Sequence, residues 1–279
     1  MKSIVLLAAS LLSVALTSNF ARAADAKPLR ALLITGGCCH DYAKQKDILK
    51  KGLEARANVV VDQIHSDNSS TKPPLSIYGN PDYAKGYDVV IHDECAADIN
   101  DPAVIKGVLA PHAAGTPGVN LHCAMHCYRI GNPGEAATAG SERAMWFDYL
   151  GLQSSGHGPQ LPIAIGFTEK NHAVNQGLAD WTTINEEHYN NIQILPTATA
   201  LAHGKQTVKN RDGTTKENDF VVAWVNDYKG TRVFSTTVGH NNATVEDARY
   251  LDLVTRGLLW TCGKVDDKGK VKTGYGPKN

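Results

Sequence analysis

The first half of this chain alternates short apolar runs with helical patterns, and that alternation limits its fold more than any other feature. Residues 29–35 form an apolar run that leads directly into Gly36-Gly37-Cys38-Cys39-His40-Asp41. Over 43–56, Ile48, Leu49 and Leu53 recur at helical spacing, and a Val-rich run over 58–64 follows. Strand, helix and strand in that order make a βαβ unit, whose crossover is right-handed in nearly all proteins. A third strand is expected over 87–92 and a fourth over 117–122. Between them Asp101-Pro102 opens a helix to about 112, with Pro in the first turn, where its missing N–H costs nothing. Repeated pairing of this kind implies an α/β fold: three layers, with a mostly parallel sheet flanked by helices.

The second half is less regular. Residues 161–167 and 197–203 read as strands, with 171–173 and 181–189 as irregular segments between them. A charged hairpin over 207–219 turns at Asp212-Gly213, the last strands lie at 220–225 and 232–237, and a helix over 245–260 closes at Gly263. No internal repeat or linker divides the chain. Residues 24–279 therefore read as a single domain, with a Lys-rich tail over 264–279 loosely held.

Residues 1–23 read as a secretory signal: Lys2 gives a positive start, 4–16 is apolar, and Ala21-Arg22-Ala23 is a small-residue cleavage site. An exported protein, periplasmic or secreted, is the expectation. The apolar run is too short to span a bilayer comfortably, and no later run is apolar enough, so no membrane insertion is expected. Cleavage removes Lys2 and Arg22, so 28 basic residues become 26 against 28 acidic ones, a net charge of −2. That balance argues against nucleic acid as a partner. Six Cys in an oxidising compartment favour a disulfide without fixing its pairing. A Cys123–Cys127 bridge is disfavoured, because one helical turn orients the two thiols poorly.

The stretch Gly118-Val119-Asn120-Leu121-His122-Cys123-Ala124-Met125-His126-Cys127 begins as a strand and ends as a helix start. A strand-to-helix elbow near His122 lifts one side chain into the crevice outside the strand ends, where open α/β sheets bind ligands. Here that side chain is an imidazole. On a helix His122 and His126 share a face, a spacing at which two imidazoles can hold one metal ion. The Glu that follows the first His in zinc proteases is Cys123 here.

Parallel strands would collect several polar groups on one rim: His40 and Asp41, Asp93 and Glu94, His122 and His126, and Gly239-His240-Asn241. His122, His40, Glu187 and Asp93 are the candidate catalytic groups. Gly37, Asp41, Glu94, His126 and Asn241 are the candidate substrate-binding groups. His40, His122 and His240 are a candidate ligand set for zinc or a similar divalent ion. His65, His112, His157, His172 and His203 read as structural. Gly36-Gly37 could cradle an anion but lacks the spacing of a nucleotide fingerprint.

At these residues the chain resembles the trehalose-utilisation (ThuA-like) family. The matching stretches are Ile34-Thr35-Gly36-Gly37 with His40-Asp41, Leu121-His122-Cys123-Ala124, and Asn171-His172-Ala173-Val174 with Gly177-Leu178. They continue with Glu187-His188-Tyr189, Val222-Ala223-Trp224, Arg232-Val233-Phe234, Gly239-His240 and Arg256-Gly257-Leu258-Leu259-Trp260. The resemblance implies a class I glutamine amidotransferase-like, flavodoxin-like fold whose attacking Cys has been lost. His122 stands at the elbow in its place and Cys123 is displaced by one residue, so a glutaminase is not expected. Asn175 and His188 depart from the family pattern. The resemblance also implies disaccharide catabolism, acting on trehalose-like sugars or 3-keto-glycosides. A sugar oxidoreductase would be the pathway partner, and a homo-oligomer is compatible.

Two functions fit these residues. One is a sugar-modifying or glycoside-cleaving enzyme using His and carboxylate chemistry, assisted by a metal. The other is a non-catalytic carbohydrate-binding or accessory protein that kept the fold and lost the chemistry. A serine hydrolase has no G-x-S-x-G elbow to stand on.

Overall fold

The computed structural model describes residues 26–277; the signal expected over 1–23 lies outside the described residues. Strand β1 (Leu29–Gly37) is buried almost throughout, as a strand covered on both faces must be. Helix α1 (Tyr42–Arg56) returns the chain to β2 (Val59–Ser66), and β3 (Val89–Cys95), α2 (Pro102–Ala113) and β4 (Gly118–Leu121) follow. Asp101 caps α2 by accepting from the Ala103 N–H at 2.8 Å. A 3-10 turn over His122–His126 leads on to α3 (Met145–Leu150). Four strands then run in succession, β5 (Leu152–Phe167), β6 (Trp181–Ile194), β7 (Ala198–Lys209) and β8 (Thr215–Tyr228). The chain returns to the sheet as β9 (Thr231–Thr236) and ends in α4 (Asn242–Glu246) and α5 (Ala248–Thr261).

The nine strands of the described residues belong to one sheet in the order β2-β1-β3-β4-β9-β8-β7-β5-β6. From β2 to β9 every neighbouring pair is parallel, and from β9 to β6 every pair is antiparallel. Each face carries its own core. On one face Leu33, Val89 and Ile91 meet Leu49 and Leu53 of α1 and Leu251, Val254 and Leu258 of α5. On the other Leu32, Ile34 and Val90 meet Ile105 and Val108 of α2 and Trp146 and Tyr149 of α3. The fold is thus a three-layer α/β sandwich whose parallel half carries the helices.

Three local expectations change. The segment 181–189, read as irregular, lies within strand β6, and β5 begins at Leu152 rather than near 161. After the elbow the chain forms a 3-10 turn rather than a regular helix, which alters how His122 and His126 relate. The tail expected to be loose is tied to the body as far as it is described. Val265 pairs with Val271, Arg256 donates to the Gly269 carbonyl at 2.9 Å, and Asn58 donates to the Gly274 carbonyl at 2.8 Å. Among the described residues no helix is long and apolar enough to cross a membrane.

Candidate functional site

The ends of β1, β4 and β9 bring three imidazoles to one point, and β6 adds a carboxylate. His40, His122, His240 and Glu187 each offer a ligand atom within 4.8 Å of all the others. The ring centroids of His40 lie 4.6 Å from those of His122 and 4.8 Å from those of His240, both edge-on. His122 is 2% exposed and Glu187 7%, so the donor atoms converge where water is scarce.

The backbone places each group. His122 has a positive φ of 41°, the strained left-handed conformation of a sharp elbow, which turns its ring toward the rim instead of along β4. Its Nδ1–H donates to the Thr237 carbonyl at 2.6 Å, which fixes the tautomer. Nε2 then faces Glu187 Oε2 at 3.4 Å and the Tyr189 hydroxyl at 3.4 Å. His240 follows Gly239, whose φ of 134° suits glycine and where a Cβ would come within 3.0 Å of the Tyr250 hydroxyl. The turn at 239–241 is held by Glu186, whose carboxylate accepts from the N–H groups of Gly239, His240 and Asn241 at 3.3, 3.0 and 3.2 Å. Glu186 and Glu187 point to opposite faces of β6, so one supports the site and the other enters it.

Glu187 is surrounded by imidazole nitrogens. His240 Nδ1 lies 3.2 Å and His157 Nε2 3.6 Å from its Oε1, and the Gln160 amide donates to the same oxygen at 3.3 Å. Burial alone would raise its pKa, but hydrogen bonds from His122 and His240 outweigh burial and hold the carboxyl well below the usual range. His40 goes the other way. Burial, then the neighbouring His122 and His240, push it down to about 3, so it stays neutral, and its Nδ1 is buried without a hydrogen-bond partner. His240 is raised by its hydrogen bond to Glu187. A carboxylate set against the lone pair of a tautomer-locked imidazole repels it unless a cation lies between them, either a proton or a metal ion. Three imidazoles and one carboxylate are a fitting donor set for zinc.

The remaining candidates fall in different places. An open cleft of about 500 Å³ beside the cluster is lined by Cys39, His40, Asp41, His240, Asn241, Asn242 and Ala243. Asp41 accepts from Asn242 at 2.8 Å there, and Asn241 donates to the Asn185 carbonyl at 2.7 Å. His126 does not join His122 as a ligand pair. In the 3-10 turn its Nε2 meets the Ser154 hydroxyl at 3.0 Å while its ring stacks on Tyr189 at 4.2 Å. Glu94 is wholly buried, bonded to the Tyr128 hydroxyl at 2.7 Å and His92 at 2.8 Å, and so cannot touch a substrate in the cleft. Asp93, next to it on β3, lies outside the four-residue cluster; burial, then the Glu94 charge, push its carboxyl well above the usual range. Gly37 is packed against the Cys95 carbonyl and lines no part of the cleft.

Two further groups adjoin the cluster: His157, read from the sequence as structural, and Gln160, which the sequence did not single out. His157 and Gln160 of β5 pair across the hairpin with Tyr189 and Glu187 of β6. Gln160 Nε2 lies 2.9 Å from His240 Nε2, and the His157 ring stacks on Tyr189 at 5.9 Å. Their signal was the period-two alternation of Glu187 and Tyr189, hidden because 152–160 and 181–191 are too polar to read as strands.

The family model described as trehalose utilisation, ThuA, matches residues 30–261. A comparison with curated proteins finds no significant match. Among solved structures, a putative ThuA-like protein from Parabacteroides merdae superposes with a TM-score of 0.61 at 20% identity, covering 90% of this chain and 98% of that one. A second, from Bacteroides uniformis, gives 0.59 at 16% identity, covering 86% and 94%. A β-galactosidase from Rahnella sp. R3 shares the fold at a TM-score of 0.51 and 15% identity over 83% of this chain and 31% of that one. With the family pattern running through nearly every element of the sheet, this chain belongs to the ThuA, or trehalose-utilisation, family.

Proposed function

We propose that this ThuA protein is an exported enzyme of carbohydrate catabolism that acts on a trehalose-like disaccharide or a 3-keto-glycoside at the His40–His122–His240–Glu187 cluster. The observation that carries the reading is the meeting of Glu187 with His122 Nε2 at 3.4 Å, where the other ring nitrogen is already committed to Thr237. That arrangement favours a resident zinc or similar divalent ion, held by His40, His122 and His240 with Glu187 as ligand or base. Such an ion would supply Lewis-acid polarisation of a sugar carbonyl or an activated water. Glu187, held as the carboxylate by its imidazole neighbours, stands where it would bind the ion or take a proton from a sugar hydroxyl or a water in the cleft. His157, partly exposed at the mouth, is placed to pass a proton between Glu187 and solvent. Asp41 and Asn241 offer hydrogen bonds to sugar hydroxyls from the cleft wall. Export is supported by the pattern of residues 1–23 and by the Cys38–Cys39 disulfide, which suits an oxidising compartment.

A panel of trehalose, other disaccharides and their 3-keto forms tests the reading. Turnover of at least one member is expected, falling by about 10²- to 10⁴-fold in Glu187→Gln, as for loss of a general base. Saturable sugar binding with no product across the panel would instead make this a carbohydrate-binding member of the family. N-terminal sequencing of the exported protein should begin near Ala24; an intact Met1 form as the main cytosolic species would contradict export.

A further inference from the structure

Beside the imidazole cluster lies a second concentration of reactive groups that the sugar chemistry does not use. Cys38 and Cys39 are bridged to each other, immediately before His40. Behind them Cys95 Sγ, at the end of β3, lies 3.4 Å from Cys38 Sγ, and Cys123 Sγ, next to the elbow, lies 2.7 Å from Cys95 Sγ. Cys39 is exposed and Cys38 half-buried, whereas Cys95 and Cys123 are 3% and 6% exposed. Four sulfurs therefore run in a line of contact from solvent to the interior, with the disulfide at the outer end and two thiols at the inner end. The turn is held in place as well. Gly37 has a φ of 102° and abuts the Cys95 carbonyl so closely that a Cβ would lie 2.2 Å from that oxygen.

We propose that these four cysteines form a redox-active thiol–disulfide centre in which the outer Cys38–Cys39 bridge is passed inward to Cys95 and Cys123. In the first step Cys95, as thiolate, attacks Cys38 Sγ; the Cys38–Cys95 bond forms, the Cys38–Cys39 bond breaks, and Cys39 leaves as a thiolate that takes up the proton Cys95 gave up. In the second step Cys123, as thiolate, attacks Cys95 Sγ; the Cys95–Cys123 bond forms and Cys38 leaves and is protonated in turn. One disulfide and two thiols enter and one disulfide and two thiols result, so no outside oxidant or reductant is needed. The product presents two adjacent thiols at the surface and stores the bridge inside. The outer pair is then open to exchange with a disulfide-bearing small molecule or protein, the class of partner such a centre would serve. Passing the bridge inward also removes the cross-link from the turn that carries His40.

Disulfide mapping of the whole protein tests this without any sugar or metal assay, so its failure and that of the proposed sugar chemistry are distinguishable. The oxidised protein is held at mildly alkaline pH, its thiols are trapped by alkylation after acid quenching, and its peptides are mapped by mass spectrometry. Bridges containing Cys95 are expected in at least about a tenth of wild-type chains, the share left if the two bridges differ by a decade in exchange constant. Cys123→Ser should stop the transfer at Cys38–Cys95, and Cys95→Ser should hold the bridge at Cys38–Cys39. If Cys95→Ser does not fold, Cys95→Ala serves in its place, with circular dichroism as the check. A wild-type protein that keeps only Cys38–Cys39 throughout would overturn the proposal. So would a Cys123-containing bridge that persists without Cys95.

Discussion

At His122 a single residue shows how backbone geometry chooses chemistry. Its positive φ lifts the ring out of the strand line, and the Thr237 carbonyl then commits Nδ1, leaving Nε2 for the cluster. That an imidazole stands at the elbow was legible, since a strand-to-helix turn is marked by its residues. The tautomer was not, because it depends on a carbonyl 115 residues away. Glu186 carries the same lesson: beside Glu187 in sequence, it is distinguished only by strand alternation. Glu186→Ala leaves three N–H groups of the 239–241 turn without their acceptor. It is expected to lower stability by about 1–3 kcal/mol and to weaken divalent-metal retention by about 10- to 100-fold, as for loss of a supporting partner behind a ligand. Chemical denaturation and competitive metal titration read the two effects separately. Unchanged metal affinity would mean that the turn positions His240 without Glu186.

Among the elements, β1, β3 and β4 were legible because strands buried on both faces carry continuous apolar runs, while β2 at the sheet edge showed itself by its Val-rich start. The hairpin of β5 and β6 was not, because its site-facing side chains are polar and its register shifts four times. Local irregularity there is what brings His157, Gln160, Glu187 and Tyr189 together. The junction of β1 with the turn bearing His40 offers a sharp element-scale test. Gly37→Ala forces a Cβ into the Cys95 carbonyl at a φ of 102°, and should cost more than about 2 kcal/mol through strain and displacement of β3. A urea midpoint unchanged from wild type would show that the turn relaxes freely.

Over the whole molecule, burial of histidines sets a pH dependence whose sign follows from their shifts. Burial pushes His40 and His112 down to about 3 and His188 to about 4, and holds His126 well below its ordinary value. Each is neutral when folded and takes up a proton when unfolded below about pH 6.5, so its stabilisation is present above that pH and is lost as pH falls. Asp93 and Asp148, both raised by burial, act in the opposite sense. His172 is lowered by burial as well, so more imidazoles than carboxyls shift and stability should fall as the pH drops from about 6 to 4.5. Denaturation midpoints across that window check the slope; stability that rises toward pH 4.5 would contradict it. The central claim is that three strand ends and one hairpin build a single metal-binding, proton-moving site. Its most direct test is equilibrium dialysis of the disulfide-intact protein against zinc. About one ion per chain is predicted, with affinity reduced by at least about 10-fold in His122→Ala and in Glu187→Gln while both keep the native circular dichroism. No saturable site, or equal affinity in wild type and both variants, would contradict the account.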